Sequence, residues 1–257
     1  MTADTPLVRT DVSRGVATVL LDSPRNRNAL SRRLLASLAA ALDDCAADPA
    51  VRVVVLTGAG PAFCSGADLK EAASGTGPGP VSLPSVLTRI FDHRCPVVAK
   101  VNGAVRAGGI GLMAACDIVV APDEATFAFS EVRIGVVPAI ISVPVLMRMN
   151  PTAAHEYFLT GEPFGAAEAT AAGLVNRAVP AESLDSAVTS YTDALVRGGP
   201  SALAATKQLR RTVPGASIGT EFARLQTLTE RHFTGEEGKA GIEALLTRQP
   251  APWLPSW

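Results

Sequence analysis

The chain has 257 residues, of which 47% are hydrophobic and 18% charged, and its 23 Lys and Arg residues against 24 Asp and Glu residues leave a net charge of −1. This apolar share is enough to bury a sizeable core. The charge balance disfavours a nucleic-acid partner or an anionic-membrane partner, because both depend on clustered Lys and Arg. The N-terminal MTADTPLVRTD has no basic segment followed by an apolar one, and no run approaches about 18 apolar residues, so we expect a cytoplasmic protein with no membrane contact.

The first part of the chain predicts a sheet with helices packed against it. Residues 7–12 and 16–21 bracket Ser13-Arg14-Gly15 and predict a β-hairpin. Ser31 can cap a helix that ends before Asp48, because apolar residues recur after it at the 3.6-residue helical period. Further strands are predicted at 51–56, 97–101, 117–121 and 174–177. Helical segments lie between these strands, and this alternation predicts an α/β fold.

Two strand-to-loop junctions are rich in glycine and small residues. One is AFCSGADL at 62–69, and the other is KVNGAVRAGGIGLMAACD at 100–117. Glycine allows a ligand to approach the main chain closely, and the start of a helix offers N–H groups that have no partner within the helix. The helix dipole also favours negative charge at that end. The two junctions could each donate one N–H group to the same oxyanion.

Together with the later PDEATFAFSEVRIGVVPA, these segments resemble the crotonase superfamily, the enoyl-CoA hydratase and isomerase family. Its members carry F-x-x-G-A-D-L, then A-x-V-N-G-x-A-x-G-G-G-x-E-x-x-x-x-C-D, then F-x-x-P-E-x-x-x-G-x-x-P. The three motifs occur here in that order, and the resemblance runs from about residue 7 to Trp253. It implies a spiral of ββα units over 1–199, a C-terminal helical oligomerisation region over 200–257, and a homotrimer or homohexamer.

The resemblance also implies an acyl-CoA substrate and three catalytic positions. The N–H groups of Ala67 and Gly108 would bind the thioester oxygen. The family's usual pair of glutamates would fall at Gly111 and Glu131, so one carboxylate remains as the acid/base. We expect an enoyl-CoA hydratase first, although hydration normally uses both carboxylates. The alternatives are a Δ3,Δ2-enoyl-CoA isomerase with Glu131 as its single base, and a catalytically degenerate acyl-CoA-binding scaffold.

Coenzyme A is expected only as part of the substrate, with no separate cofactor. By resemblance, its contacts would come from Ser65, Ala67, Asp68 and Leu69. Arg25 and Arg27, in the polar loop SPRNRNAL, could contact the CoA phosphates, and the alternative is that they are exposed without a role. We predict no metal site, because the four cysteines and three histidines lack ligand spacing. Cys64 lies beside a glycine junction, but it is expected to be a buried small residue rather than a nucleophile. The chain also contains no dinucleotide motif and no Walker motif.

The remaining expectations concern the wall of the acyl pocket and the helices. After Glu131, the run VRIGVVPAIISVPVLMRM replaces the P-G-x-G-G segment of common hydratases with branched apolar residues. Residues 71–84 predict a mobile loop, because they are rich in Gly, Pro and Ser. Helices are predicted at 85–93, 181–197, 200–211, 219–233 and 236–246. Apolar residues of the C-terminal helices, such as Leu225, Leu228 and Phe233, predict self-association.

Overall fold

The structure is a computed structural model that describes residues 6–73, 79–209, 231 and 235–254. The strands are β1 (Val8–Ser13), β2 (Val16–Leu21), β3 (Val53–Gly58), β4 (Ala62–Cys64), β5 (Val97–Lys100), β6 (Ala104–Arg106), β7 (Ile118–Pro122), β8 (Thr126–Ala128), β9 (Phe164–Gly165) and β10 (Arg177–Val179). The helices are α1 (Arg32–Ala47), α2 (Leu69–Ala73), α3 (Leu83–Asp92), α4 (Gly108–Ala115), α5 (Ala139–Leu146), α6 (Pro151–Thr160), α7 (Ala166–Ala171), α8 (Leu184–Val196), α9 (Pro200–Gln208) and α10 (Glu236–Thr247). Short 3₁₀ helices cover Pro24–Asn26, Ser130–Ile134 and Ala181–Ser183.

The strands form two sheets. The six-stranded sheet has the order β1-β2-β3-β5-β7-β10, and the four-stranded sheet has the order β4-β6-β8-β9. The chain passes from the first sheet to the second three times, from β3 to β4, from β5 to β6 and from β7 to β8, and a helix follows each passage. These repeats are the predicted ββα units, so the α/β fold class is confirmed.

Helix α1 forms as its sequence pattern predicts. The Ser31 hydroxyl accepts a hydrogen bond from the Leu34 N–H at 3.2 Å, which satisfies one of the unpaired donors at the helix start. Leu34, Leu38 and Leu42 are fully buried on one face. That face packs on β1 and β2, where the predicted hairpin is confirmed with Ser13 opposite Val16.

Several predicted segment boundaries are wrong, and the strand predicted at 174–177 and the loop predicted at 71–84 differ for local reasons. The strand predicted at 174–177 begins only at Arg177, because Gly173 has a φ of +82° and the N–H groups of Leu174 and Val175 both bond to the Ala169 carbonyl. These bonds terminate α7 and keep the two residues out of the sheet.

The loop predicted at 71–84 is shorter than expected at both ends. Glu71 lies in α2, whose start is capped by Asp68: its carboxylate accepts the N–H groups of Lys70 and Glu71 at 3.1 and 3.2 Å. Helix α3 begins at Leu83 rather than at residue 85, and Ser82 caps it. Residues 74–78 lie outside the described residues, so the prediction of mobility remains untested.

The C-terminal helices are described in part. The segment predicted as one helix at 181–197 consists of a 3₁₀ turn followed by α8, and α9 ends at Gln208. The helix predicted at 219–233 lies outside the described residues apart from Arg231, so self-association through Leu225, Leu228 and Phe233 stays a prediction. In the ranges described above, no helix combines the length and the apolar character needed to span a membrane.

Candidate active site

The three predicted catalytic positions lie at one edge of the four-stranded sheet. Its strands β4, β6 and β8 are neighbours and run parallel. Ala67 follows the end of β4, Gly108 follows β6, and Glu131 follows β8. Carboxyl ends of parallel strands meet at the same edge, which is where ligands commonly bind in α/β sheets. The topology therefore brings together two main-chain donors and one carboxylate from separate parts of the sequence.

The two glycine junctions are in direct contact. A Cβ atom placed on Gly66 would lie 2.9 Å from the Ala107 Cβ atom and 3.5 Å from the Gly108 nitrogen. A Cβ atom on Gly109 would lie 2.7 Å from the carbonyl oxygen of Cys64. Helix α4 can thus start directly against the segment that leads into Ala67. Because Gly108 is the first residue of α4, its N–H group has no partner within the helix.

Ala107 has a strained backbone that directs the chain into α4. Its φ and ψ angles are +47° and −122°, a region that L-residues rarely adopt. The Ala107 N–H group donates to the Ala128 carbonyl at 3.0 Å, and the Ala107 carbonyl accepts from the Ile110 N–H at 2.8 Å. Sequence reasoning did not single out this residue, although a signal was present: the family's Gly-Gly-Gly run reads Ala-Gly-Gly here.

Ala107→Gly should raise the free energy of unfolding by about 1 kcal/mol. Relief of backbone strain is worth about 1–3 kcal/mol, and the greater freedom of glycine in the unfolded chain offsets about 0.4–1 kcal/mol of it. Urea denaturation measures the change. Ala104→Gly in β6 is the control and should lower stability, because glycine weakens a strand without relieving strain there. A lower stability for Ala107→Gly would contradict the claim that the Ala107 backbone is strained.

Glu131 is a half-buried carboxyl group with an unsatisfied oxygen. It lies in the 3₁₀ helix Ser130–Ile134, and the Val136 N–H donates to its carbonyl at 3.0 Å. Its Oε2 atom is shielded from solvent and has no hydrogen-bond partner within the described part of the chain. Burial raises the pKa of the Glu131 carboxyl, and a hydrogen bond from a backbone N–H opposes this only in part. A desolvated carboxyl of this kind is suited to taking up and returning a proton.

The position expected for the family's other glutamate is closed by a neighbouring helix. Gly111 is buried in α4, and a Cβ atom there would lie 2.5 Å from the Cγ2 atom of Ile141 in α5. Ile141 is 2% exposed. Sequence reasoning identified Gly111 and the apolar run that contains Ile141 as separate departures from the family, but it did not predict their contact, because they belong to different helices.

The predicted CoA contacts border the same junction. The Ser65 N–H donates to the Arg27 carbonyl at 3.0 Å, and the Ser65 hydroxyl donates to the Asn26 carbonyl at 3.2 Å. These bonds hold the 3₁₀ turn that contains Arg25 beside the segment 65–69. Leu69 is exposed, while Asp68 serves as the cap of α2. The structure thus brings the five predicted contact residues together, and their role in CoA binding stays a prediction.

Asn28 holds the turn that contains Arg25 in place, and sequence reasoning missed it. It is fully buried with a φ of +56°, and its Nδ2 atom donates to the carbonyls of Ala59, Ala62 and Phe63 at 2.8–3.2 Å. Its Oδ1 atom accepts the Ser23 N–H at 2.9 Å. One side chain therefore ties the turn with Arg25 to β4 and to the loop before it. Its setting in a polar loop, SPRNRNAL, gave no sign of this burial.

Cys64 is disfavoured as a nucleophile by its surroundings. Burial raises the pKa of the Cys64 thiol to about 12, so the group stays protonated and is a poor nucleophile. Across the described ranges, no cluster of three His, Cys, Asp or Glu residues could hold a metal ion. Proton transfer by Glu131 beside main-chain donors is the chemistry that the arrangement favours.

Comparisons with known proteins show the family of the chain. The family model described as enoyl-CoA hydratase/isomerase matches residues 11–255. A protein of Thermus thermophilus, provisionally named an enoyl-CoA hydratase, is 40% identical over 245 residues, which cover 91% of this chain and 96% of that protein. The carnitinyl-CoA dehydratase of Salmonella arizonae is 34% identical over 248 residues, covering 91% of this chain and 93% of that protein. The crystal structure of an enoyl-CoA hydratase from Mycobacterium smegmatis matches with a TM-score of 0.87 and 32% identity, covering 96% of this chain and 99% of that one.

Proposed function

Because the chain belongs to the enoyl-CoA hydratase/isomerase family, we propose that it is an enoyl-CoA hydratase, which adds water to a 2-enoyl-CoA. The observation that carries the proposal is the buried, unpartnered Oε2 atom of Glu131 at the sheet edge where Ala67 and Gly108 also lie. The similarity to a Thermus thermophilus protein provisionally named an enoyl-CoA hydratase supports it.

In the proposed mechanism, the thioester oxygen accepts hydrogen bonds from the N–H groups of Ala67 and Gly108. Glu131 takes a proton from water while the water oxygen bonds to C3, and the electron pair of the double bond moves to the thioester oxygen as an enolate. Protonated Glu131 then returns the proton to C2. With one carboxylate of the usual pair present, the same group performs both transfers. Each oxyanion donor is worth about 3 kcal/mol in reactions of this class.

A single-base Δ3,Δ2-enoyl-CoA isomerase is the second candidate. The close contact between Gly111 and Ile141 favours it, because it leaves Glu131 without the second carboxylate that normally helps to orient water. In this reaction, Glu131 would remove a proton from C2 of a 3-enoyl-CoA and return it to C4. The same two N–H groups would stabilise the dienolate.

We expect the protein to bind short enoyl-CoA thioesters saturably and to add water to at least one 2-enoyl-CoA. Isothermal calorimetry measures binding, and loss of ultraviolet absorbance by the conjugated thioester measures hydration. A CoA thioether of equal chain length is the matched control, because it lacks the carbonyl that the two N–H groups would bind. Double-bond migration without hydration would favour the isomerase, and binding without turnover would favour the scaffold. A folded protein that binds no acyl-CoA would contradict all three.

The proposal includes a cytoplasmic homotrimer or homohexamer with acyl-CoA as its ligand. Exposed apolar side chains on three neighbouring elements support self-association, since such surface on a soluble protein commonly marks an interface. The elements are the 3₁₀ helix Ser130–Ile134 with the segment after it, α5, and α6, and the side chains are Ile134, Val136, Val137, Ile140, Val143, Leu146 and Leu159.

A further inference from the structure

Helices α4 and α5 meet where one of them has no side chain. A Cβ atom on Gly111 would lie 2.5 Å from the Cγ2 atom, 3.1 Å from the Cβ atom and 3.6 Å from the Cα atom of Ile141. The first two distances are shorter than an ordinary van der Waals contact. Ile141 is buried, and its β-branched side chain has one strongly preferred rotamer in a helix. A larger residue at position 111 therefore has to displace Ile141 or move α5.

The sequence links the same two positions. In hydratases with two glutamates, the second is followed by P-G-x-G-G, and the corresponding residues here are Pro-Ala-Ile-Ile-Ser at 138–142. Ile141 thus stands where that segment has a glycine, and Gly111 stands where those enzymes have a glutamate. Relative to that pattern, one position lacks a side chain and the other carries one, and a Cβ atom at the first would meet the second.

We propose that Ile141 is a specificity-determining residue, which fills from α5 the space that a second carboxylate would occupy and so confines proton transfer to Glu131. The inference rests on the proposed function, because it concerns the acyl-CoA reaction of this site. Ile141 presents a branched apolar surface beside α4 in place of a charged group that could orient water. A glutamate at position 111 can therefore be accommodated only if Ile141 is replaced by a smaller residue at the same time.

The test compares Gly111→Glu, Ile141→Gly and the double variant with the wild-type protein. Gly111→Glu alone should misfold or unfold at a much lower temperature, because its side chain meets Ile141. Adding Ile141→Gly should restore a cooperative unfolding transition. Ile140→Gly is the matched control: it also places glycine in α5, but residue 140 is 47% exposed and does not line the contact. Thermal unfolding followed by circular dichroism measures this rescue.

The second measurement separates specificity from packing. The folded double variant should raise the ratio of hydration to double-bond migration at least about tenfold, since a positioned acid/base contributes about 10²- to 10⁴-fold in rate. Its pH–rate profile should also gain a second acidic ionisation. Rescue by Ile140→Gly, or no rescue by Ile141→Gly, would overturn the inference, and so would a folded double variant whose ratio and pH profile match those of the wild type. If the wild-type protein converts no acyl-CoA, the proposed function fails instead, and the stability coupling between the two positions still stands.

Discussion

Glu131→Gln should lower the turnover of the best enoyl-CoA substrate by at least about 100-fold, because an amide cannot take up the proton that either proposed reaction transfers. Glutamine keeps the size of the side chain and removes the buried charge, so the protein should stay folded. The measurement is kcat for hydration and for double-bond migration on the same thioesters. Glu156→Gln is the matched control, since residue 156 is an exposed glutamate on α6.

The pH dependence provides an independent check on Glu131. Burial raises the pKa of its carboxyl, so the ionised base that hydration requires is lost at a higher pH than for an exposed glutamate. The acid limb of the pH–rate profile should therefore lie above the usual glutamate range. The same shift means that Glu131 lowers stability at pH values above its raised pKa; this cost shrinks as the pH falls below that pKa and is gone below the ordinary pKa of a glutamate. Full activity in Glu131→Gln would place the proton transfer on another group.

Lys207→Met should lower the free energy of unfolding by about 3–5 kcal/mol, the usual cost of breaking a buried ion pair from one side. The ammonium group of Lys207 lies 2.8 Å from the carboxylate of Asp117, and it donates to the carbonyls of Ile90 and Cys95 at 2.8 and 3.2 Å. The lysine side chain is only 3% exposed. Removing it leaves the two carbonyls without this donor and the carboxylate without this cation. Urea denaturation measures the loss.

An exposed-lysine control and a double variant test whether the loss in Lys207→Met comes from the ion pair. Lys239→Met on α10 removes an exposed lysine that lies 3.4 Å from Glu236, and it should change stability by less than about 1 kcal/mol. Combining Lys207→Met with Asp117→Asn should cost less than the sum of the single changes, because the second change removes the carboxylate charge that the lysine faces. Additive losses would show that the ion pair does not join α9 to the sheet.

The sequence predicted those parts of the fold whose cause is local. Ser31 and the apolar face after it predicted α1, because capping and helical periodicity act within a few residues. Strands β4, β6 and β8 are too short for a period-two pattern, so their shared edge could be expected only through the family motifs. The cap formed by Asp68 was missed because a single aspartate in a Gly-rich region also fits a turn.

The main-chain donors and the carboxylate of the candidate site could be predicted from the sequence. The packing of side chains around them could not. Ala67, Gly108 and Glu131 belong to recognisable motifs. The contact between Gly111 and Ile141 depends on how two helices approach each other, which a single sequence does not reveal. The buried position of Lys207 has the same origin, because its partners lie about 90 and 117 residues away in the sequence, in α3 and just before β7.

The origin of the site in three ββα units has an evolutionary consequence. The groups proposed to activate the thioester are peptide N–H groups, which every residue except proline supplies, so they persist through most substitutions at these positions. The proposed acid/base is a side chain on a different unit, and a point mutation can remove it or move it without disturbing the other two units. Such a division lets a lineage keep one way of activating thioesters while it changes the reaction that follows.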